Sequence, residues 1–240
     1  MKRTLSLLLA VILSVFCLAS CGDEITSEAY DLYVNAMKAF DKGIDLKLTM
    51  TISAAGNDTT TTMNMKGCKD AYELQMDVDG AAVYAVLVDG VMYMNMDLGE
   101  LGIQKYKQEI GSVDEFLTQT GTNGTDLPDL TQDMLKNISV EIKDGKKSFT
   151  VKLDGEKNSE LVTSFAGQLD SDAKLGDIVI TCTFTEAGVL ESMVMSADAT
   201  VAGITTNIEV KMEFNSIGEI PTISAPADAD TYKSLSNLLG

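Results

Sequence analysis

The chain has 240 residues, and its 36 acidic side chains outnumber the 18 basic ones, for a net charge of −18. Phosphate backbones and anionic lipid surfaces repel such a chain, which argues against nucleic-acid binding. The absence of histidine excludes a histidine-based catalytic triad and a histidine-containing zinc site. No G-x-G-x-x-G, Walker or G-x-S-x-G motif is present. Composition therefore favours a protein that is not an enzyme and carries no cofactor.

The first twenty residues are typical of a secretory signal. Lys2 and Arg3 precede the apolar stretch Leu5 to Phe16, and Leu18-Ala19-Ser20-Cys21 follows. This last run resembles the bacterial lipobox, in which cleavage precedes the cysteine and its sulfur carries diacylglycerol. We expect a signal peptide over 1–20, a lipidated tether over 21–27 and a single domain over 28–240. The alternative is an ordinary secreted protein with an incidental cysteine at position 21.

Cleavage removes two cations, so the basic residues fall from 18 to 16 and the net charge from −18 to −20, with no arginine remaining. Bidentate recognition of phosphate or carboxylate is then absent. No later stretch approaches the ~18 continuous apolar residues of a membrane helix. These features predict a monomer on the extracytoplasmic face of the cell membrane, held there by lipid on Cys21.

A helix is predicted over Glu28–Lys42, with Ser27 as its N-cap and Gly43 at its end. Apolar residues recur at helical spacing along one side. They are Tyr30, Val34, Met37 and Phe40.

Alternating strands follow the helix. Ile44–Ala54 and Thr59–Lys66 are predicted to pair around a turn at Gly56-Asn57-Asp58. Leu74 to Leu98 then forms a three-stranded meander with two Asp-Gly turns, Asp79-Gly80 and Asp89-Gly90. Its middle strand, Ala82–Val88, is apolar on both faces and must be covered on both.

The alternation of apolar and polar residues stops between Gly99 and Ile138. Ser112-Val113-Asp114-Glu115 fits a capping box for a short helix, and Gly121–Pro128 is rich in turn residues. Leu130–Leu135 is predicted to form another helical turn. This interruption is a candidate lid, with a plain connection as the alternative.

The second half repeats the alternation. A hairpin over Ser139–Asp144 and Lys146–Leu153 precedes a helix over Ser159–Leu169. The remaining strands are Ile178–Thr185, Val189–Val201 and Thr205–Asn215, and a tail from Pro221 becomes helical near Tyr232. The elements together predict a mainly β (α+β) fold, in which a curved antiparallel sheet forms an incomplete β-barrel wrapped around a few helices.

Methionine is the positive functional signal, because ten of the thirteen methionines lie in predicted strands. Its flexible, polarizable side chain suits surfaces that accept varied apolar shapes. We predict that a lipid or another apolar ligand binds on the apolar face of the sheet. The predicted lining is Met50, Met63, Met65, Leu74, Met76, Met92, Met94, Met96, Ile180, Phe184, Met193, Met195, Met212 and Phe214.

Alternatives remain open on the sequence. The methionines could be ordinary sheet filling, and Met92, Met94 and Met96 could bind Cu(I) through their thioethers. Asp170-Ser171-Asp172 and Asp228-Ala229-Asp230 could bind calcium loosely, but neither fits the EF-hand loop, so no metal site is predicted. Cys68 and Cys182 could pair, or Cys182 could be a buried free thiol.

The layout resembles the LolA/LppX-type envelope lipoproteins, which share the lipoprotein-localisation-factor fold. The resemblance lies in the lipobox at Cys21, in the helix with Tyr30, Met37 and Phe40, and in the strand Asp45–Met50. It continues in the Met92–Met96 strand with the downstream Lys105-Tyr106-Lys107, and in the closing segment Phe214–Pro221.

The resemblance implies an incomplete antiparallel barrel that closes a hydrophobic cavity around helices, in proteins that carry or sense lipids and lipoproteins at the envelope. Without arginine, any arginine-mediated lid or acyl contact of such carriers is missing here, and a permanent anchor argues against a shuttling carrier. Two functions follow as expectations. One is a non-catalytic hydrophobic-ligand binder, and the alternative is an envelope sensor or interaction module whose interior is only a packed core.

Overall fold

The computed structural model describes residues 27–78, 81–97, 99, 102–113, 115, 128–159, 174–201 and 203–235. These residues form a mainly β structure built on one large curved sheet. The predicted fold class is confirmed.

Helix α1 spans Glu28–Phe40 and begins at the predicted cap. The Ser27 hydroxyl accepts a hydrogen bond from the Tyr30 backbone nitrogen at 3.1 Å and donates one to the Leu135 carbonyl oxygen at 2.8 Å. The second bond joins α1 to helix α2, Gln132–Leu135. The Ser27 side chain thus satisfies a backbone N–H of the first turn that has no partner within α1, and it also holds α2 against α1.

The buried face of α1 differs from the predicted one. Its buried residues are Ala29, Leu32, Tyr33 and Ala36, whereas Tyr30, Met37 and Phe40 pack at its margin and remain partly exposed. The periodicity of large apolar residues misses this face, because two of its four members are alanines. Such small side chains let a helix lie close to a sheet, and the larger residues then fill the flanks.

Thirteen strands are assigned among the described residues. Their bounds are β1 Ile44–Ala54, β2 Asn57–Cys68, β3 Ala71–Val78, β4 Ala81–Val88, β5 Val91–Asp97, β6 Ile103–Glu109, β7 Glu141–Lys143, β8 Lys146–Leu153, β9 Lys174–Leu175, β10 Ile178–Thr185, β11 Leu190–Val201, β12 Ile204–Ile217 and β13 Lys233–Ser234.

These strands form one open sheet in the order β13-β6-β5-β4-β3-β2-β1-β12-β11-β10-β8-β7, with β9 paired to β11. All pairs are antiparallel except β13 with β6. Strand β1 pairs over its whole length with β12 on one side, from Ile44 opposite Ile217 to Ala54 opposite Thr206, and with β2 on the other. The chain therefore winds out to β6, leaves the sheet, and returns to complete it on the other side of β1.

Two-residue turns explain several hairpins. Asp89 and Gly90 have φ values of 52° and 75°, and Asp144 and Gly145 have 53° and 73°. Positive φ at both positions is the geometry that matches the twist of paired strands, and Asp-Gly favours it. The predicted Asp89-Gly90 turn is therefore confirmed, and so is the hairpin between Ser139 and Leu153. The first hairpin turns at Ala55–Gly56, with φ values of 51° and 80°, one residue before the predicted position.

Two predictions, one for the segment after β5 and one for the C-terminal tail, are wrong. Residues 103–109 form strand β6, inside the segment that was predicted to interrupt the sheet. The tail does not become helical at Tyr232: a 3-10 turn at Ala229–Thr231 leads into β13, which pairs with β6. Strand β6 is largely polar on both faces and β13 has only two residues, so hydrophobic alternation carries no signal in either segment.

The core divides into two clusters on one face of the sheet, the face against which α1 packs, and we call it the inner face. The main cluster joins α1 and α2 to β8, β10, β11 and β12. The second, smaller cluster lies on β1–β5 and includes Ile44, Leu46, Leu87 and Met92, with Val113 against them. Helix α1 therefore covers one half of the sheet much more fully than the other.

Some predictions lie outside the described residues. They are the signal over 1–20, Cys21 and its tether before Ser27, the Asp79-Gly80 turn, most of the segment from Asp114 to Pro128, and the helix over Ser159–Leu169 beyond its first residue. Within the described ranges, no helix combines the length and apolarity needed to cross a membrane.

Candidate functional site

A row of directly paired inner residues crosses ten strands of the sheet, and we call it the central row. Because residues opposed across neighbouring strands lie side by side on one face, register alone places them together. From β8 to β6 the central row consists of Phe149, Cys182, Met193, Met212, Leu48, Met63, Met76, Val83, Met96 and Gln104.

Burial changes along the central row. In the β8–β12 half, Phe149, Cys182 and Met193 are 2%, 0% and 1% exposed. In the β1–β5 half, Met63, Met76 and their neighbours are only half-buried. The two halves have similar side chains but differ in what packs over them. Since α1 packs on the first half, that half is a filled core, and the second half presents apolar surface.

The structure places all fourteen predicted lining residues on the inner face, although in different surroundings. Ile180, Phe184, Met193, Met195 and Met212 are buried in the main cluster, against which Met50 and Phe214 pack. Met65 and Met92 are buried in the second cluster. Met63, Leu74, Met76, Met94 and Met96 are half-buried. Ligand binding by these residues stays a prediction.

The half-buried apolar side chains on the inner face of β2–β5 form one continuous surface, which we call the methionine face. It consists of Met63, Leu74, Met76, Val83, Met94 and Met96. Met63, Leu74 and Met94 pack against the second cluster, and the other three lie one step farther along their strands. The central row runs about 19 Å from β1 to β5 at ~4.8 Å per strand. This length is comparable with that of an extended acyl chain.

Strand β6 gives the methionine face a polar border that sequence reasoning missed. Met96 is paired with Gln104, Met94 with Tyr106 and Met92 with Gln108. The Tyr106 hydroxyl lies 3.4 Å from Gln104 Oε1, to which it donates. Three hydrogen-bonding side chains therefore stand beside three methionines. The signal that could have found them is the alternation of these residues with Lys105, Lys107 and Glu109.

The opposite, outer face of the sheet is covered at β5 and β6 by the C-terminal segment 226–235, which we call the strap. Tyr232 is 5% exposed, and its ring meets that of Tyr93 edge-to-face at 5.5 Å. Lys105 forms an ion pair with Asp228 and lies 5.7 Å from the centre of the Tyr232 ring. The ion pair lowers the pKa of Asp228 and raises that of Lys105.

The strap also explains how the middle strand is covered twice. Val86 of β4 is 0% exposed, although it points to the outer face, where it pairs with Tyr93 of β5. The inner face of β4 carries Ala85 and Leu87, both buried in the second cluster. The expectation that Ala82–Val88 is covered on both faces is therefore confirmed for its central residues.

A cavity of about 500 Å³ lies beside the end of the strap, lined by Val91, Tyr93, Lys107, Gln108, Glu109 and Ser234. Its lining mixes charged, amide and aromatic groups. It lies at the β5–β6 hairpin on the side of the sheet away from the methionine face, because Tyr93 and Lys107 are paired outer residues.

Burial favours the neutral form of three titratable groups in the core, Cys182, Tyr72 and Tyr33. Burial raises the pKa of Cys182 to about 12 and that of Tyr72 to about 12. Burial also raises the pKa of Tyr33, with Cys182 adding to the rise. Cys68 and Cys182 are both free thiols, so the alternative in which they pair is wrong. Across the described residues, no group of three or more histidine, cysteine, aspartate or glutamate side chains could hold a metal ion.

Comparisons with known proteins give structural neighbours only. No family model matches the sequence, and no curated protein matches it either. Among solved structures, the chain is similar to a LolA-superfamily protein from Nitrosomonas europaea at 7% identity and a TM-score of 0.24, with 78% of this chain and 94% of the other covered. It is also similar to a Vibrio parahaemolyticus domain described as outer membrane lipoprotein-sorting, at 12% identity and a TM-score of 0.24, with coverage of 87% and 97%.

A third neighbour is the MucA/MucB complex of Pseudomonas aeruginosa, at 10% identity and a TM-score of 0.23, with 85% of this chain and 95% of the other covered. One of the three neighbours is described as a LolA-superfamily protein. All three TM-scores lie below 0.5, so these neighbours say nothing about the ligand, partner or location of this chain.

Proposed function

We propose that this protein is a lipid-anchored, extracytoplasmic lipoprotein that binds a lipid or another hydrophobic ligand on the methionine face without catalysing a reaction. The observation that supports the proposal is the change of burial along the central row. Met193 and Met212 are 1% and 5% exposed, whereas Met63, Met76 and Met96 on the same row are half-buried.

Burial of apolar surface supplies the affinity in this proposal. Each methylene group removed from water contributes about 0.8 kcal/mol, so an acyl chain that lies along the methionine face gains several times this amount. Methionine suits the task because its unbranched side chain adapts to a chain that slides or bends. The adjoining second cluster provides a rigid floor, in which Met65 and Met92 are 4% and 3% exposed.

The anchor belongs to the same proposal. Lipid on Cys21 would leave five residues between the anchored cysteine and Ser27, the N-cap of α1. A tether of this length spans at most about 20 Å. The domain would therefore stay close to the bilayer from which a hydrophobic ligand is drawn, while its net charge of −20 keeps it from lying flat on anionic lipid.

Native mass spectrometry tests ligand binding on full-length protein extracted gently from membranes. We expect a lipid adduct on the wild type. The double variant Met76→Gln with Met96→Gln should lose most of it, because two amides then lie on the methionine face. Gln75→Ala is the matched control. Gln75 lies on the exposed outer side of β3, the strand that carries Met76, and this variant should keep the lipid adduct. A wild type that carries no lipid would contradict the proposal.

The anchor has its own test. The N-terminal peptide of the mature protein should carry diacylglycerol on Cys21, and Cys21→Ser should move the protein from the membrane to the soluble fraction. Loss of anchoring without any change in the lipid adduct would separate the two parts of the proposal.

The second candidate is an envelope sensor or interaction module with a purely structural interior. The filled main cluster favours it, since α1 occupies the inner face across β8–β12. In that case a membrane partner captured by cross-linking would be retained equally by the wild type and by the variant with Met76→Gln and Met96→Gln, and neither would carry lipid.

A further inference from the structure

We infer that Met76 and Met96 form an oxidation site on the methionine face, at which peroxides convert both thioethers to sulfoxides while the protein stays folded. The two residues lie on either side of Val83 in the central row, Met76 on β3 and Met96 on β5. The site follows from burial and packing and does not depend on the proposed function. Only its effect on ligand binding rests on that function.

Within the described residues, Met76 and Met96 are the methionines with the least protein packed over them. Both are only half-buried, and neither belongs to the main or the second cluster or packs against it. Each of the other methionines in these residues is a member of one cluster or packs against one. They are Met37, Met50, Met63, Met65, Met92, Met94, Met134, Met193, Met195 and Met212.

The oxidation of a thioether requires an open approach to its sulfur, because the sulfur attacks the peroxide directly. An S–O bond forms as the O–O bond breaks, and the sulfur gives up two electrons. The departing hydroxide takes the proton of the transferred oxygen and leaves as water, so the peroxide is the only co-reactant. Hydrogen peroxide is uncharged, and the negative charge of the chain therefore does not repel it.

The methionines of the main cluster are protected in two ways. Met193 and Met195 are 1% and 3% exposed, so peroxide reaches them only when the cluster opens. A sulfoxide in the cluster would also be a buried polar group without a hydrogen-bond partner, which is unfavourable. At Met76 and Met96 water can solvate the sulfoxide oxygen. Oxidation at this site therefore leaves both core clusters intact.

The position of the two residues gives their oxidation a local effect. A sulfoxide group turns a flexible apolar side chain into a polar one. Because Met76 and Met96 flank Val83, two sulfoxides place polar oxygens on both sides of it and interrupt the apolar part of the central row between Met63 and Gln104. An apolar ligand lying across this part of the row then loses contact area.

Residue-resolved mass spectrometry tests the site on the full-length protein in phosphatidylcholine nanodiscs, after a limited dose of hydrogen peroxide that is stopped with catalase. Met76 and Met96 should carry at least tenfold more sulfoxide than Met193 and Met195, and at least twofold more than any other methionine of the described residues. In concentrated urea these differences should disappear, because unfolding exposes every methionine. Equal oxidation in the folded protein, or faster oxidation of another described methionine, would overturn the inference.

Intact-mass measurements on matched variants separate the site from general damage. Met76→Leu with Met96→Leu should abolish the early uptake of oxygen, whereas Met193→Leu with Met195→Leu should keep it. Leucine conserves the volume and polarity of methionine, so both variants are expected to fold. Early uptake that persists in the first variant would contradict the inference. The wild-type sulfoxide map decides the question even if a variant fails to fold.

Native mass spectrometry of the same samples tests the effect on binding. Oxidation of Met76 and Met96 should reduce the lipid adduct of the wild type at least fivefold, and treatment with methionine sulfoxide reductases should restore it. An adduct that survives oxidation of both residues would overturn the effect on binding. A protein that carries no lipid before oxidation would contradict the proposed function, while the sulfoxide map would still decide whether the oxidation site exists.

Discussion

Truncating two methionines of the central row tests whether its two halves differ as the structure shows. Met193→Ala removes a side chain that is 1% exposed within the main cluster. A fully buried methionine reduced to alanine costs 2–5 kcal/mol, so we expect the free energy of unfolding to fall by about 3 kcal/mol. Met76→Ala removes a half-buried side chain, and we expect a loss of about 1 kcal/mol or less.

Urea unfolding of the mature chain with Cys21→Ser measures both losses, with equal m-values as the check that the variants unfold alike. When lipid is added, Met76→Ala should be the variant with the larger effect. A ligand that binds only the folded state raises the unfolding midpoint, and this rise should disappear in Met76→Ala but persist in Met193→Ala. Equal losses without lipid, or an equal rise with it, would refute the division of the row into a core half and a ligand half.

Three further predictions concern other parts of the fold. Ser27→Ala should cost about 1 kcal/mol of unfolding free energy, because it removes both the cap of α1 and the bond to the Leu135 carbonyl, while Ser27→Thr should restore most of it. Tyr232→Ala should speed amide hydrogen exchange in β5 and β6, where the strap covers the outer face, and Lys233→Ala, an exposed neighbour, should not. Above its ordinary pKa of 9.0, the Cys182 thiol ionises only after unfolding, since burial raises its folded pKa to about 12. Between these two pKa values the unfolded chain binds fewer protons than the folded chain, so the free energy of unfolding falls as pH rises. Cys182→Ala should make that fall shallower by about 1.4 kcal/mol per pH unit. An equal pH dependence in the wild type and the variant would show that the thiol is not buried.

Several elements could be predicted because their signals are local. The alternation in Ile44–Ala54 and Ile178–Thr185 leads directly to β1 and β10. The Asp-Gly turns follow from the ease with which these residues adopt positive φ. Ser27 acts as the predicted cap. Each of these features depends on a few neighbouring residues, so no knowledge of the rest of the chain is needed.

Other elements depend on distant partners and were missed. Strand β6 is polar on both faces and becomes a strand because β5 offers it an edge, with Tyr93 opposite Lys107. The strap joins the sheet more than a hundred residues later, through β13 and Tyr232. The buried face of α1 uses Ala29 and Ala36, whose small side chains give no periodic signal.

By itself, the sequence determined that the inner face is apolar and rich in methionine, and that no arginine and few cations exist to meet an anion. These properties belong to alternation and composition, which folding does not change. Only the tertiary structure decided which methionines are core and which are surface. Met193 and Met76 look alike in sequence, yet α1 packs over the β8–β12 half of the sheet and leaves the methionine face half-buried. Burial depends on what lies across from a side chain, and residues distant in the sequence supply that cover.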